Sequence, residues 1–245
     1  MTALLTPLPW DSEFFGFPIA KVELTHRSPA DLASIEAEAR DAGFACLYGS
    51  LDPIDAQPSV IVQGQGWRFV DAAIMYSLHP REPELPCPPG ISLRLGTPED
   101  LPELAPMVAL LAPWSRFAVD PRFGQDTGRR VQSAWIERAA TGATGDFERV
   151  VAGDDVDGAL VAFISRARNP EPVIDTIGTA AVGAGAARAL VGVSRSWAGD
   201  GPLLGGPIAA RNVTASRFVQ TLGYRATWTR YLYHRWLDEN AGGAA

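Results

Sequence analysis

The sequence is poor in the residues and segments on which several classes of protein depend. Its 245 residues include two cysteines, Cys46 and Cys87, which are too few for a disulfide framework or a cysteine metal cluster. Lys21 is the single lysine, so Schiff-base chemistry would have to use it. No apolar run approaches the roughly 20 residues of a membrane-spanning helix, and no basic cluster marks the amino terminus as a secretory signal. We therefore expect a cytoplasmic protein without a membrane partner.

Positive charge is also in short supply. The chain has 21 Lys plus Arg against 28 Asp plus Glu, which gives a net charge of −7. A surface that binds nucleic acid needs a basic face to release counterions, so no nucleic-acid partner is expected. The histidines, His26, His79 and His234, are scattered and show no spacing typical of a metal site or of a Ser/His/Asp triad. We predict no metal, and we interpret His79 and His234 as structural or solvated.

The rest of the composition is that of a folded chain, with 47% hydrophobic and 20% charged residues. A stretch at 79–90 divides it, because its five prolines remove backbone donors and fix φ. We predict a smaller α/β domain at 1–80, a stiff linker at 81–90, a larger domain at 91–238 and a loose tail at 239–245.

Local patterns predict the elements of both pieces. In the first piece we expect strands at 19–24, 44–48 and 68–78, a helix at 29–42 that Ser28 caps, and a short helix at 58–64. In the second we expect strands at 91–95, 149–152, 158–165, 173–182, 202–209 and 224–236. Its helices are expected from Thr97 to before Pro113 and at 125–140, 184–198 and 212–222.

The most informative stretch joins the strand at 173–182 to the helix at 184–198. Glycine and alanine fill Gly183 to Ala187, so a ligand can approach the backbone closely. The first turn of the helix offers unpaired N–H groups at the positive end of the helix dipole. This arrangement binds a diphosphate without lysine. The alternative is a turn that packs closely through small residues, and the sequence leaves both interpretations open.

A second stretch runs from Asn212 to Tyr224. Asn212 stands at a junction between strand and helix, where its amide caps the helix or binds a polar ligand. Gly223 ends the helix, and Tyr224 begins the next strand. Taken alone, this stretch indicates a capped helix.

Together the two stretches resemble the GNAT superfamily of acetyl-CoA-dependent N-acyltransferases. The family pattern is a strand, a Q/R-x-x-G-x-G/A turn, a helix, another strand and then N-x-x-A-x-x-L-Y-x-x-L-G-F. Residues 182–187 stand at the turn, and residues 212–224 match most of the second motif. The resemblance implies a GNAT fold, which is a mixed, mostly antiparallel sheet with flanking helices, preceded here by the smaller α/β domain. It also implies acetyl-CoA as co-substrate, bound by Ala181, Val182, Gly183, Ala184, Gly185, Ala186, Ala187, Arg188 and Asn212.

A closer resemblance is to the TDP-fucosamine acetyltransferase group, which acetylates the amine of a sugar nucleotide. The segments W-D-S-E-F-F-G at 10–16 and S-R-F-A-V-D-P-R-F at 115–123 are similar to stretches of that group. Aromatic rings stack on a base or a sugar face, and an arginine clamps a phosphate. For the aromatic residues, packing in a core is the alternative. The resemblance implies substrate binding by Trp10, Phe14, Phe15, Arg116, Phe117 and Asp120.

Two positions depart from the family pattern. Val182 replaces the usual arginine or glutamine, and the turn is several residues short. Val219 stands where the family often has the tyrosine that protonates the leaving thiolate, and valine has no proton to donate. A water molecule, Tyr231 or Tyr233 would have to substitute. The catalytic residues stay unknown, with Asp120 and Tyr231 as candidates.

The resemblance favours an N-acetyltransferase in which the amine of a TDP-amino sugar attacks the thioester directly. Asp120 or Asp175 would take the amine proton, and a backbone N–H near Ala181 would hold the oxyanion. Two alternatives stay open: a GNAT-fold module that binds acyl-CoA or a partner with weak or no catalysis, and an acetyltransferase for another small amine. A homodimer through the last strands is the protein partner that the resemblance suggests.

Overall fold

The computed structural model describes residues 5–54, 56–79, 85–141, 147–154, 158–168, 170–180, 185–238 and 241–242. The α-helices in these ranges are α1 (Pro9–Phe15), α2 (Pro29–Asp41), α3 (Ala56–Gly64), α4 (Leu101–Ala109), α5 (Thr127–Thr141), α6 (Ala186–Ala198) and α7 (Val213–Thr221). The strands are β1 (Thr6–Pro7), β2 (Ile19–Glu23), β3 (Cys46–Leu51), β4 (Arg68–Leu78), β5 (Ile91–Leu95), β6 (Phe147–Asp154), β7 (Leu160–Arg168), β8 (Pro172–Thr179), β9 (Leu203–Ala209) and β10 (Arg225–Trp236).

Most of these elements lie where the sequence predicts them. β4 and β5 have the predicted bounds. α2 follows Ser28, whose hydroxyl oxygen accepts a hydrogen bond from the Asp31 amide while the Asp31 carboxylate accepts one from the Ser28 amide. Helix α1 is a difference, because the sequence patterns indicated only an aromatic segment there. It is short, begins with Pro9 and ends at Gly16, which has a φ of 78°.

The chain divides into two compact units that are each built from separate stretches. The first comprises Met1–Ala73, Arg116–Gln125 and Thr229–Ala245, and the second comprises Ile74–Ser115 and Asp126–Trp228. This division differs from the sequence-based one, which has a single break at the proline-rich stretch. The reason is strand pairing, since residues 231–236 of β10 pair with residues 46–51 of β3 and tie the end of the chain to its first part.

In the first unit, the strands follow the order β1, β2, β3, β10. β2 is parallel to β3, while β1–β2 and β3–β10 are antiparallel. α2 provides the crossover that two consecutive parallel strands require. Leu32 and Ile35 of α2 share one buried core with Leu47 of β3 and Trp67. The first unit is thus a small mixed α/β assembly with its own core.

In the second unit, β5, β6, β7 and β8 form an antiparallel ladder, and β9 adds to β8 in parallel. Val150 and Ala152 of β6 belong to a core that includes α6 and α7, whereas Val151 belongs to a core with α4 and α5. Because successive residues of a strand point to opposite faces, helices cover both faces of this sheet. A mixed, mostly antiparallel sheet with flanking helices confirms the predicted fold class.

The described part of the predicted linker packs against α6. Residues 85–90 form no helix or strand. A Cβ on Gly192 would lie 2.3 Å from the Leu85 carbonyl oxygen, and one on Gly185 would lie 3.0 Å from Pro88 Cγ. Glycine at these two positions therefore permits the close approach of this segment to the helix. Residues 80–84 lie outside the described residues.

The described part of the predicted tail is also held in place. Arg122 Nη2 donates hydrogen bonds to the carbonyl oxygens of Asp238, at 2.7 Å, and Ala241, at 2.8 Å. The Arg122 guanidinium also lies 4.4 Å from the centroid of the Trp236 ring. Ala241, in the predicted tail, is thus held by a hydrogen bond within the first unit, which differs from a loose tail. Residues 239, 240 and 243–245 lie outside the described residues.

Candidate functional site

The parallel pair of strands β8 and β9 borders the first candidate site, in the second unit. Their ladder comprises two residue pairs near the start of each strand, the second being Ile174 with Gly205. β8 continues to Thr179 while still paired with β7, and β9 continues to Ala209. The two strands therefore diverge after their first pairs. Peptide groups along such a divergence need hydrogen-bond partners, which a ligand or water can supply.

Helix α6 begins a few residues after β8 ends. Gly185 precedes it in the left-handed conformation, with a φ of 77° and no side-chain cap. Arg188, in the first turn, is exposed, so a cation stands near the positive end of the helix. The described residues of this turn therefore fit a diphosphate. Outside the described residues lie Ala181, Val182, Gly183 and Ala184.

Small residues of α6 also serve in packing. Gly185 and Gly192 accommodate Pro88 and Leu85, as described above. Ala186 is 2% exposed and belongs to the core of the second unit, and Ala187 is partly buried. For these positions the structure favours close packing, the alternative interpretation of the small residues. The exposed Arg188 and the first-turn amides are left for a ligand.

The second family motif contributes a cap and a core residue. Asn212 Oδ1 accepts a hydrogen bond from the Ala215 amide at 3.1 Å, so Asn212 caps α7. Val219, which occupies the position of the family's tyrosine, is 4% exposed and packs in the core of the second unit. The structure thus gives Asn212 a capping role and Val219 a packing role.

Tyr224 is a buried phenol in the same core. Its Oη has no hydrogen-bond partner among the described residues. Burial raises the pKa of Tyr224, so the phenol keeps its proton at neutral pH. A Cβ on Gly205 would lie 3.0 Å from its ring, which explains why glycine stands at that position of β9.

Asp175 follows the last residue of β8 that pairs with β9. It borders a cavity of about 150 Å³ together with Trp135, Ser165 and Thr176. Thr176 Oγ1 donates a hydrogen bond to the Asp175 carboxylate at 3.1 Å. Removal of water by surrounding atoms raises the pKa of Asp175, and the Thr176 bond opposes that effect. Because the residue is exposed, its position rather than this shift makes it a candidate proton acceptor.

Comparisons with known proteins identify the fold. No family model and no curated protein matches the chain. A conserved protein of unknown function from Staphylococcus epidermidis is similar in structure, with a TM-score of 0.66 and 16% identity over 89% of this chain and 84% of that chain. A tandem GNAT protein from the clavulanic acid biosynthesis pathway has a TM-score of 0.57 and 16% identity over 92% of this chain and 77% of that chain. A GCN5-related N-acetyltransferase from Sphaerobacter thermophilus has a TM-score of 0.58 and 13% identity over 89% of this chain and 73% of that chain. The chain has the GNAT fold. At these identities the fold is shared, and activity has to be argued from the site.

The first unit brings together the aromatic residues that the sequence predicted for substrate binding. Trp10 stacks on Phe14, and Phe14 meets Phe15 edge-on, each pair with ring centroids 5.0 Å apart. Phe15 in turn lies 5.1 Å from Phe117. Helix α1 explains the first contact, because residues four apart on a helix are neighbours. These four rings form one connected cluster.

Arg116 lies over two aromatic rings of the first unit. Its guanidinium carbon is 4.7 Å from the centroid of Tyr48 and 4.8 Å from that of Phe117, which is cation–π geometry. Its Nε is buried and has no hydrogen-bond partner among the described residues. The residue as a whole is partly exposed. The rings thus hold a flat cation at the border between the interior and the solvent.

Asp120 is fully buried, and both of its carboxylate oxygens are engaged by protein groups. Oδ2 lies 2.9 Å from His234 Nδ1 and accepts a hydrogen bond from Trp236 Nε1, also at 2.9 Å. Oδ1 accepts a hydrogen bond from the Arg122 amide at 3.2 Å and lies 3.8 Å from Arg68 Nη1. These contacts suit a group that orients His234 and do not favour direct contact of Asp120 with a substrate.

The charge states of this pair follow from its surroundings. Burial alone would raise the pKa of Asp120, but hydrogen bonds from His234 and Trp236 hold it at about 2. Burial lowers the pKa of His234 to about 4, although Asp120 opposes the shift, and Arg116 and Arg68 lower it further. At neutral pH Asp120 is ionised and His234 is neutral, so Nδ1–H donates to the carboxylate. The lone pair of the imidazole is then on Nε2.

Three buried polar atoms around this pair have no hydrogen-bond partner among the described residues: Nε2 of His234, Oη of Tyr48 and Nε of Arg116. The rings of Tyr48 and His234 are 5.0 Å apart, and Arg116 lies over Tyr48, so the three groups are neighbours. Burial raises the pKa of Tyr48, which therefore keeps its hydroxyl proton. Because buried polar groups are normally paired, such a concentration marks a second candidate site.

Sequence reasoning missed two members of this cluster, Tyr48 and His234. One signal existed for His234. It lies two residues before Trp236 in a predicted strand, so both side chains point to the same face of the sheet. Its partner Asp120 lies 114 residues away in the chain, and no local pattern connects them. Tyr48 was expected only as part of a buried strand.

The tyrosines considered as substitutes for the missing acid are engaged in the first unit. The Tyr231 ring meets Phe69 edge-on with centroids 5.7 Å apart, and it packs against the core. Tyr233 is fully buried, and its Oη shares a hydrogen bond of 2.7 Å with Ser59. These contacts indicate packing roles for both residues.

Across the described ranges, no group of three or more His, Cys, Asp or Glu side chains is placed to hold a metal ion. In the same ranges no helix combines the length and the apolar character needed to cross a membrane.

Proposed function

We propose that this protein is an acyl-CoA-dependent N-acyltransferase. One observation carries the proposal: in a chain with the GNAT fold, β8 and β9 diverge after Ile174 and Gly205, shortly before α6 begins. A divergence of two parallel strands next to a helix N-terminus offers both an extended cleft and an anion site. Bound acetyl-CoA would supply the activated thioester.

Groups of the second unit have defined tasks in this proposal. Beyond the last residue pair of the β8–β9 ladder, peptide groups of the two strands form hydrogen bonds with the amide-bearing arm of the coenzyme. First-turn amides of α6 and the Arg188 guanidinium bind its diphosphate. Asp175, one residue beyond Ile174, takes the proton from the attacking amine. A C–N bond forms as the C–S bond breaks, and positioning of the two reactants supplies most of the acceleration.

The finer part of the proposal concerns the acceptor, which we take to be the amine of a sugar nucleotide such as TDP-4-amino-4,6-dideoxygalactose. Its support is chemical. The rings of Trp10, Phe14 and Phe15 suit stacking on a base or a sugar face. Arg116 Nε has no hydrogen-bond partner among the described residues, and a guanidinium suits a phosphate.

Calorimetry with acetyl-CoA tests the cofactor part of the proposal. Arg188→Gln should weaken binding by about threefold to tenfold, because a partly exposed ion pair with phosphate is lost. Arg195→Gln is the matched control, because Arg195 lies in the last turn of the same helix. Mass detection of the acetylated sugar nucleotide, alongside a panel of other amines, tests the acceptor. Failure of the wild-type protein to bind acetyl-CoA would refute the proposal.

A second candidate function is a GNAT-fold module that binds acyl-CoA without efficient turnover. The burial of Val219 in the core favours it, because no side chain that donates a proton stands at the family's tyrosine position. Binding of acetyl-CoA without release of free thiol, across the whole panel of amines, would support this candidate over the transferase.

A further inference from the structure

We propose that the first unit contains a ligand site formed by His234, Tyr48 and Arg116, which binds a small anion that also carries a hydroxyl or amino group. The three unpartnered polar atoms of these residues are the main observation. They lie around a single aromatic ring, since the Tyr48 ring is 5.0 Å from the His234 ring and 4.7 Å from the Arg116 guanidinium carbon. This inference goes beyond acyl transfer, because it assigns His234 and Tyr48 to ligand binding. It shares Arg116 with the acceptor part of the proposed function and uses none of the groups proposed to bind acyl-CoA.

The hydrogen-bonding capacities of the three groups define the chemistry of the ligand. His234 Nε2 offers a lone pair, because Nδ1–H is committed to Asp120, so it needs a donor such as a hydroxyl or an ammonium group. Arg116 offers N–H donors and a positive charge, so it needs a phosphate or a carboxylate. The Tyr48 hydroxyl both donates and accepts, and it can bond either part of the ligand.

The imidazole is held in place for binding. Asp120 fixes the tautomer and the ring orientation of His234 through Nδ1, and Trp236 Nε1 donates a hydrogen bond to the same Asp120 oxygen, Oδ2. Phe123 meets the imidazole edge-on with ring centroids 5.1 Å apart, and Phe117 lies nearly parallel to it at 6.0 Å, so aromatic rings flank the imidazole. Nε2 is therefore a preorganised acceptor whose direction does not depend on the ligand.

Access to this interior cluster runs through Arg116. His234 is 1% exposed and Tyr48 is 6% exposed, whereas Arg116 is partly exposed. Arg116 and Phe117 belong to a short 3₁₀ turn, Arg116–Ala118, and not to a long helix. In this proposal, the anionic group of the ligand pairs with the guanidinium and draws Arg116 away from the Tyr48 ring. His234 Nε2 and Tyr48 Oη then become accessible to the hydroxyl or amino group of the same ligand.

Nuclear magnetic resonance of protein labelled with ¹⁵N-histidine tests this site directly. The chain has three histidines, and His26 and His79 are exposed, so His26→Asn and His79→Asn assign the spectrum. The probes are glucosamine 6-phosphate, inorganic phosphate, glucosamine and gluconate. The first carries both a phosphate and hydrogen-bond donors, the next two each carry one of these, and gluconate combines a carboxylate with hydroxyl groups. We expect glucosamine 6-phosphate or gluconate to shift the Nε2 signal of His234 most, and phosphate or glucosamine alone to act more weakly. Neither exposed histidine should respond in the same way.

Three variants locate the binding. Arg116→Gln should raise the Kd for the best probe by at least about tenfold, and Arg129→Gln, which changes an exposed arginine, should leave it unchanged. His234→Asn keeps an N–H donor for Asp120 and removes the Nε2 acceptor, so it should also weaken binding. Tyr48→Phe should weaken binding without lowering the unfolding midpoint, because the hydroxyl it removes has no hydrogen-bond partner in the described part of the chain.

Two results would overturn the proposal. One is a His234 signal that no probe shifts at millimolar concentration, which would mean that ordered water fills the site. The other is binding of the best probe with equal Kd in wild type, Tyr48→Phe and Arg116→Gln. Tyr224→Phe removes a second buried hydroxyl, in the second unit, that also lacks a hydrogen-bond partner within the described ranges, and it serves as the control for Tyr48→Phe. No assay in this series contains acyl-CoA, so its outcome does not depend on the acyl-CoA part of the proposed function.

Discussion

His234 should make the protein lose stability on mild acidification. Burial lowers its pKa from the ordinary 6.5 to about 4, with Arg116 and Arg68 adding to the shift and Asp120 opposing it. Between these values the unfolded chain binds a proton that the folded chain does not. Protonation therefore favours unfolding, and the free energy of unfolding falls as the pH is lowered through this window. The full contribution is present above pH 6.5.

The size of this effect follows from the same two values. At about 1.4 kcal/mol for each pH unit, the interval from 6.5 to about 4 corresponds to a loss of about 3 kcal/mol. His234 is 1% exposed, so solvent screening reduces this value little. Asp120 adds to acid sensitivity only at lower pH, because its pKa in the folded protein is about 2 and its ordinary value is 3.8.

His234→Asn is the perturbation that isolates this contribution. The asparagine amide can still donate to Asp120, but it does not titrate. The variant loses packing against Tyr48 and Phe123 at every pH, so the slopes of stability against pH are compared, not the absolute values. His26→Asn is the matched control, because His26 is exposed and its φ of 61° is one that asparagine also adopts.

Urea denaturation followed by tryptophan fluorescence, at several pH values between about 4.5 and about 7.5, measures the slopes. Wild type and His26→Asn should change little in stability above pH 6.5 and should lose about 1 kcal/mol per pH unit below about pH 6, and His234→Asn should lose clearly less. Equal slopes in wild type and His234→Asn would refute the reasoning. A histidine resonance assigned to His234 that titrates near 6.5 would refute it as well.

Three further substitutions test local features of the fold. Trp236→Phe deletes one donor to the buried carboxylate and should lower the free energy of unfolding by about 1–3 kcal/mol, measured in urea. Gly192→Ala places a Cβ against the Leu85 carbonyl and should lower the free energy of unfolding, measured by thermal melts, by more than about 1 kcal/mol. Gly64→Ala, whose Cβ would meet nothing within 4 Å, should be neutral or stabilising in the same measurement. Asn212→Ala removes a helix cap and should cost about 1 kcal/mol by thermal unfolding, whereas an unchanged midpoint would argue against the capping role.

Much of the fold was predictable, because its signals are local. β4 and β5 have the predicted bounds, since alternation and flanking turns define both strands. Asn212 was predicted as a possible cap and is one. Helix α1 was not predicted, because its 7 residues are too few for a helical period to stand out, although Trp10 and Phe14 have helical spacing.

The division into units and the second candidate site were not predictable in the same way. Both depend on contacts between distant parts of the chain, such as Asp120 with His234 and β3 with β10. The resemblance pointed to Arg116 and Asp120, and the structure brings both into one unit. It did not indicate that the Asp120 carboxylate would be enclosed by protein donors, because that depends on the register of β10. The chemistry of the ligand proposed for the first unit follows from three atoms, His234 Nε2, Tyr48 Oη and Arg116 Nε, whose surroundings no local sequence pattern specifies.

The placement of β10 has a consequence for synthesis in the cell. Ribosomes deliver the chain from its amino terminus, and domains tend to fold as soon as they emerge. The first unit cannot do so, because β3 waits for residues 231–236 before it gains its second neighbour. The second unit can be complete while β3 still has an open edge, a state that invites association with other chains. Production of this protein should therefore benefit from chaperones that shield nascent strands.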